Sequence, residues 1–203
     1  MNFSSVLISC SLGFLIGILI ALSDFLGKRE FVILCNSMMA IPPVFVGLMS
    51  YLLLSRSSPL GFLDLLYTPY AMTFAQVMLL LPISISLTIE VVQPRYNSYR
   101  ELFESLCFTK SYAAMVLLTD CFPNFIFIAL TVLGRAMSEV GAVMIVGGNI
   151  NHYTRVLTTT IALETSRGNL QLAVILGVIL LVLTMIVHIC ATFLKAKLKY
   201  YME

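Results

Sequence analysis

Two charged side chains, Arg135 and Glu139, lie four residues apart inside an otherwise apolar segment. A charged side chain at bilayer depth costs roughly 2.5–3.5 kcal/mol on insertion scales, so such groups usually pair with each other or face a polar cavity. A spacing of four places both on one face of a helix, where they could form an ion pair. The glycines that follow, Gly141, Gly147 and Gly148, predict irregular backbone, which lipid tolerates only where protein or a cavity shields it. A charge pair followed by a broken helix indicates a transport pathway.

The composition is that of a membrane protein. Of 203 residues, 60% are hydrophobic and 11% are charged, whereas a soluble domain carries roughly 25% charged residues. The length accommodates about four to six spans of ~20 residues with short connections. We therefore expect a single transmembrane domain over residues 1–203. The cysteines show no spacing typical of metal ligands, and we interpret them as small buried hydrophobes, with no metal site.

Apolar stretches predict the transmembrane spans of an all-α polytopic protein. The second stretch contains Pro42 and Pro43 and is expected to kink or break there, because proline lacks a backbone donor. The third contains Pro82 and ends with Glu90. The predicted spans cover residues 3–23, 31–55, 70–93, 122–147 and 170–194.

The distribution of lysine and arginine predicts the orientation, because cytoplasmic loops carry an excess of both. An outside N-terminus leaves most basic residues on the inner side, so we expect the connection over 94–121 and the C-terminus to be cytoplasmic. The inner residues are Lys28, Arg29, Arg95, Arg100, Lys110, Lys195, Lys197 and Lys199, and the outer ones are Arg56, Arg155 and Arg167.

The connection over 94–121 differs from the others, because residues 100–118 mix charges with large apolar side chains. The spacing is compatible with a short amphipathic helix followed by a second helical piece. A helix of this kind on the cytoplasmic side is either an anchor at the bilayer surface or a docking element for a partner.

The signal that resembles a known family lies in the second half of the chain. The stretch 134–142 and the Gly147-Gly148-Asn149 run after it resemble the signature of permease subunits of type I ABC importers. The stretches 154–161 and 164–169 look most like the tungstate-type branch of the molybdate, tungstate and sulfate permeases. The resemblance covers most of the chain and is strongest over 131–182.

In that family a cytoplasmic loop carries a coupling motif of Glu-Ala-Ala, three residues and Gly. Here Glu101-Leu102-Phe103 occupies the first part, and Cys107 stands at the position of the glycine. The resemblance implies that this helix docks in a groove of an ATP-binding subunit. The implied docking residues are Glu101, Leu102, Phe103, Glu104, Leu106 and Cys107.

The resemblance also implies the partners. They are a second copy of this chain, two cytoplasmic ATP-binding subunits that hold ATP and Mg²⁺, and an extracytoplasmic protein that delivers the oxyanion. The assembly would lie in a prokaryotic cell membrane, and this chain itself would bind no cofactor and no nucleic acid. The chain contains no GxxxxGK[ST] phosphate loop, as this division of labour requires.

Two interpretations of the signature stay open. Arg135 and Glu139 either neutralise each other structurally or act on a passing oxyanion. The run 147–149 either presents N–H groups to an anion or forms a helix C-cap, and the threonines either line the pathway or bond to backbone. The candidate pathway and gate residues are Arg135, Ser138, Glu139, Gly141, Gly147, Gly148, Asn149, Thr158, Thr159 and Thr160.

The sequence therefore predicts a permease that moves tungstate or a related oxyanion inward, driven by a separate ATPase. A molybdate or sulfate permease of the same fold is the alternative within this class. A self-sufficient secondary transporter or a channel is the alternative from another class, although a secondary carrier needs no docking helix. A membrane-embedded enzyme is disfavoured, because the sequence shows no clustered acid, base or metal ligands.

Overall fold

The computed structural model describes residues 2–56, 58 and 60–202, with side chains up to residue 194. The side chains of Lys195, Lys197 and Lys199, which contribute to the predicted orientation, lie outside the described set. The described residues form α-helices and no strand, which confirms the predicted all-α class. The helices are α1 (Asn2–Leu22), α2 (Lys28–Met38), α3 (Pro43–Leu54), α4 (Pro69–Ser105), α5 (Lys110–Asp120), α6 (Phe122–Met137), α7 (Gly141–Gly147), α8 (Leu157–Ser166) and α9 (Leu170–Met202).

Three helices of the described chain, α1, α4 and α9, are each long and apolar enough to cross a membrane. Two bent pairs bring the number to five if each pair counts as one span. The axes of α2 and α3 meet at 99°, and those of α5 and α6 at 71°. Pro42 and Pro43, which predict a kink, stand where α3 begins. The chain is thus a multi-pass helical membrane protein.

The longest helix, α4, packs against α1 through a stripe of small side chains on α1. A Cβ added to Gly17 would lie 2.6 Å from the Cβ of Thr88, so nothing larger than glycine fits there without displacing α4. Small residues at four-residue spacing let transmembrane helices approach closely. The buried stripe consists of Ser5, Ser9, Gly13, Gly17 and Ala21.

The helix α4 does not end near residue 93, where the predicted third span ends. It continues to Ser105 and contains both Pro82 and Pro94. No glycine interrupts this stretch, and its exposed end is supported by an ion pair between Arg100 and Glu104 at 2.9 Å, one helical turn apart. The first part of the predicted loop over 94–121 is therefore a helical extension of α4, and the chain turns only at residues 106–109.

The predicted fourth span, 122–147, is divided in two. The helix α6 ends at Met137, and the short helix α7 begins at Gly141. The half-length helices α3 and α7 cross where a Cβ on Gly47 would lie 2.6 Å from the Cα of Ala142. Each of these half-helices follows a break in the chain, and at the α6–α7 break Glu139 is buried.

Candidate functional site

Arg135 and Glu139 do not form the predicted intrahelical pair. Arg135 lies in the last turn of α6 with an exposed side chain, whereas Glu139 lies beyond the end of that helix and is only 4% exposed. No ion pair joins either of them to any residue within the described part of the chain. The spacing allows such a pair only within a continuous helix, and the i,i+4 geometry is lost because α6 ends at Met137.

Glu139 instead caps the helix that follows. Its Oε1 accepts a hydrogen bond from the backbone N–H of Ala142 at 3.1 Å. A carboxylate at a helix N-terminus satisfies an unpaired donor and interacts favourably with the helix dipole. Ser138, which is exposed, donates from its hydroxyl to the carbonyl of Arg135 at 3.0 Å. These two side chains therefore hold the break between α6 and α7 in shape.

Arg135 faces a cavity of about 140 Å³, which we call the Arg135 cavity. It lies where three irregular points of the fold meet: the break between α2 and α3, the internal Pro82 of α4, and the end of α6. Apart from Arg135 the lining is apolar and rich in methionine. Its methionines are Met38, Met39, Met49 and Met78.

The glycine run forms the C-terminal end of α7. Gly148 is in the left-handed region at φ 67° and its N–H closes the last turn of the helix. Asn149 also has a positive φ, of 49°. The N–H of Ile150 donates to the Thr154 hydroxyl at 2.8 Å, and that hydroxyl donates to the Gly147 carbonyl at 2.6 Å. This geometry favours the helix C-cap over an anion-binding nest.

The remaining glycine and threonine candidates for the pathway differ in the groups that they contact. A Cβ on Gly141 would lie 2.7 Å from Cγ2 of Val44, so this glycine serves the packing of α7 on α3. The hydroxyls of Thr159 and Thr160 both donate to the carbonyl of Val156. Thr158 lines a cavity together with Glu139.

On the opposite side of the predicted membrane, α4 ends in a Schellman motif with Cys107 at the usual glycine position. The N–H of Phe108 donates to the Phe103 carbonyl at 2.9 Å, and the N–H of Cys107 donates to the Glu104 carbonyl at 3.1 Å. Cys107 has a φ of 52°, in the left-handed region. The cysteine therefore adopts the conformation that the glycine of the family motif adopts easily.

Phe103, one of the docking residues that the resemblance implies, has a buried side chain. It is only 6% exposed, and its ring lies 5.9 Å from that of Tyr99 and 6.0 Å from that of Phe108, between centroids. Leu102 and Leu106 are each 53% exposed. Phe103 lies on the inner face of α4 and is covered by its neighbours, whereas Leu102 and Leu106 point outward.

Ion pairs hold this end of the molecule together. Arg95 reaches the Asp120 carboxylate at 2.7 Å and so joins α4 to the end of α5. Asp120 raises the pKa of Arg95, chiefly through its negative charge. Arg100 lies 3.7 Å from Asp24 in the connection between α1 and α2. The two ion pairs therefore join the end of α4 to α5 and to the connection between α1 and α2.

One polar residue that sequence reasoning missed is Gln76 of α4, which is 1% exposed. Its Oε1 accepts from the Ser5 hydroxyl at 2.6 Å, and its Nε2 donates to Oδ1 of Asn2 at 3.2 Å and to the Ala136 carbonyl at 3.4 Å. The sequence did carry a signal for Gln76, namely an amide side chain in the middle of an apolar span. Such a group requires a hydrogen-bond partner on another helix.

The structure defines a multi-pass helical membrane protein with broken helices and a buried charged side chain, and comparisons with known proteins define its family. No protein-family model matches the chain. The tungstate uptake system permease protein TupB of Peptoclostridium acidaminophilum is 39% identical over 173 residues, which cover 85% of this chain and 76% of that protein. The chain therefore belongs to the family of ABC transporter permease proteins.

Two further relatives agree with this assignment. A Haloferax volcanii protein, named a probable anion ABC transporter permease protein, is 37% identical over 187 residues, 90% of this chain and 81% of that protein. The tungstate uptake system permease protein TupB of Campylobacter jejuni is 32% identical over 176 residues, 87% of this chain and 72% of that protein.

Proposed function

We propose that this chain is the permease subunit of an ABC importer that passes tungstate or a related tetrahedral oxyanion into the cell. The observation that carries the proposal is the similarity over most of the chain to permeases named for tungstate and anion transport. Two copies would enclose the pathway, with the N-terminus outside and the C-terminus in the cytoplasm. Cytoplasmic subunits would bind ATP and Mg²⁺, and an extracytoplasmic protein would deliver the anion.

The guanidinium of Arg135, which has no ion-pair partner among the described residues, supports an anionic substrate. Because Glu139 faces a different cavity, its negative charge does not lie beside Arg135 and leaves the guanidinium field available to an anion. The flexible methionines around it can repack as an ion passes. Apart from Arg135, the lining has no polar side chain that would bind an ion tightly. Weak binding favours passage of the ion through the cavity.

The shape of α4 supports coupling to an ATPase. This helix has 37 residues and is therefore about 55 Å long at ~1.5 Å per residue. One end carries the exposed Leu102, and Met78 and Pro82 of the same helix line the Arg135 cavity. A displacement of the 106–109 turn by a docked partner would move the cavity wall as a rigid body.

The deciding experiment is reconstitution in proteoliposomes with the candidate ATP-binding subunit and binding protein, with tungstate uptake measured with and without ATP. We expect ATP-dependent uptake in the wild type and its loss in the double variant Leu102→Glu/Leu106→Glu. Phe62→Glu is the matched control, because Phe62 is 79% exposed and lies in the connection predicted to be on the outer side.

Each alternative has its own outcome in this assay. Uptake by the chain alone, without any ATPase, would show a secondary transporter or channel. ATP-dependent uptake in which molybdate or sulfate competes better than tungstate would assign the chain to those permeases instead. Uptake that persists in the leucine double variant would contradict docking at this turn.

A further inference from the structure

A second cavity, of about 330 Å³, is lined by Met137 of α6, by Glu139 and by Val143 of α7, and we call it the Glu139 cavity. Its volume is at the lower end of the roughly 300–1,000 Å³ found for small-molecule sites. Asn2, Gln76, Glu139 and Thr158 contribute its polar groups. Its apolar wall consists of Met137, Val143, Val156, Leu157, Ile179, Leu180 and Leu183.

Two of the four polar side chains are not fully used by the protein. Gln76 and Asn2 bond to each other at 3.2 Å. Thr158 is 7% exposed, and its hydroxyl has no hydrogen bond to any residue that the structure describes. Glu139 accepts one hydrogen bond from a backbone N–H. Thr158 and Glu139 therefore both present hydrogen-bond acceptors to the cavity.

The electrostatics of the Glu139 cavity favour one class of ligand. Its lining contains one carboxylate and no lysine, arginine or histidine. A buried carboxylate without a cationic partner is unfavourable in an apolar medium. An oxyanion would be repelled by Glu139, and a neutral alcohol would leave the carboxylate without a counter-charge. A cation with several N–H donors would satisfy both Glu139 and Thr158.

We propose that the Glu139 cavity binds a small amphiphile with a primary ammonium group. The ammonium donates hydrogen bonds to the Glu139 carboxylate and to the Thr158 hydroxyl oxygen, and the apolar body packs against Val143, Ile179 and Leu180. The site is separate from the Arg135 cavity, and its existence does not depend on which oxyanion the chain transports.

The test compares octylamine with octan-1-ol, which share an apolar chain and differ in the charged head. Dissociation constants for the protein in lipid nanodiscs are measured near pH 7, with empty nanodiscs subtracted. We expect octylamine to bind at least about tenfold more tightly, since hydrogen bonds to charged groups are the stronger ones. Glu139→Gln should bring the ratio near one. Glu90→Gln, which alters an exposed carboxylate elsewhere on α4, should leave it unchanged.

Two further variants keep the test decisive. Thr158→Val should weaken octylamine more than octan-1-ol. If Glu139→Gln fails to fold, because Glu139 also caps α7, Leu180→Phe decides by filling the apolar part of the cavity, and retained octylamine binding would overturn the proposal. Equal affinity of the two probes for the wild type, or a ratio unaffected by folded Glu139→Gln, would overturn it as well.

Discussion

Arg135 and Glu139 lie four residues apart, yet they line two different cavities with no residue in common. The exposed guanidinium stands beside methionines and Pro82, while the buried carboxylate caps α7. The two charges are thus separated by the end of one helix and the start of the next. Each has its own structural surroundings and can be altered separately.

A double-mutant cycle on the free energy of unfolding tests this separation. Arg135→Gln, Glu139→Gln and the double variant are compared by thermal unfolding of the purified protein. We expect a coupling energy below about 0.5 kcal/mol, as for residues without shared partners. A coupling energy of about 1 kcal/mol or more, as is found for residues in contact, would show that the two side chains pair after all.

The Cys107 position tests the Schellman motif. A residue with a Cβ is strained by roughly 1–2 kcal/mol in the left-handed region. Glycine avoids this strain, but its greater freedom in the unfolded chain offsets part of the gain in folding stability. We expect Cys107→Gly to stabilise the fold by about 0.5–1 kcal/mol, and Cys107→Val to destabilise it. Thermal unfolding of both, beside Cys190→Ala as an exposed-cysteine control, measures the effect. Equal stability of the glycine and valine variants would refute the assignment.

Phe103 and Leu102 are neighbours in the motif with opposite expected roles. Phe103→Ala should destabilise the protein by about 3–5 kcal/mol, because it empties a buried aromatic site. Leu102→Ala should change the stability by less than about 0.5 kcal/mol, because that side chain is exposed. Thermal unfolding of the two variants, with binding of the ATP-binding subunit measured separately, distinguishes support of the fold from docking. The reverse order of stabilities would contradict the structure.

The crossing of α3 and α7 depends on Gly47. A Cβ at this position would lie 2.6 Å from the Cα of Ala142, so Gly47→Ala requires backbone movement and should cost about 1–3 kcal/mol. Gly177→Ala is the matched control, because nothing lies within 4 Å of its Cβ position. It should be neutral or slightly stabilising, since alanine favours a helix. The yield of folded protein and its unfolding temperature give the readout.

Cysteine labelling tests the orientation. In variants that keep a single cysteine, a membrane-impermeant maleimide should modify the exposed Cys107 in inside-out vesicles and spare it in right-side-out ones. Cys121 should react slowly in both, because its side chain is fully buried and the reagent cannot reach the thiol. Labelling of Cys107 from the outer side would reverse the proposed orientation.

The amino-acid sequence alone determined the class of protein, the apolar segments and the place of the first break. Hydropathy and proline act locally, so a run of apolar residues or Pro42-Pro43 has the same consequence in any membrane fold. The family signature is likewise a property of the sequence, and the relatives agree with it.

Only the tertiary structure decided where the functional side chains point. Helix ends and burial depend on contacts between segments distant in the chain: α7 begins where Gly141 meets Val44 of α3, and this break separates Arg135 from Glu139. Phe103 is buried in one apolar cluster with Leu22 of α1 and with Ala113 and Leu117 of α5. Burial of this kind depends on several segments at once, and a local pattern of residue types does not predict it.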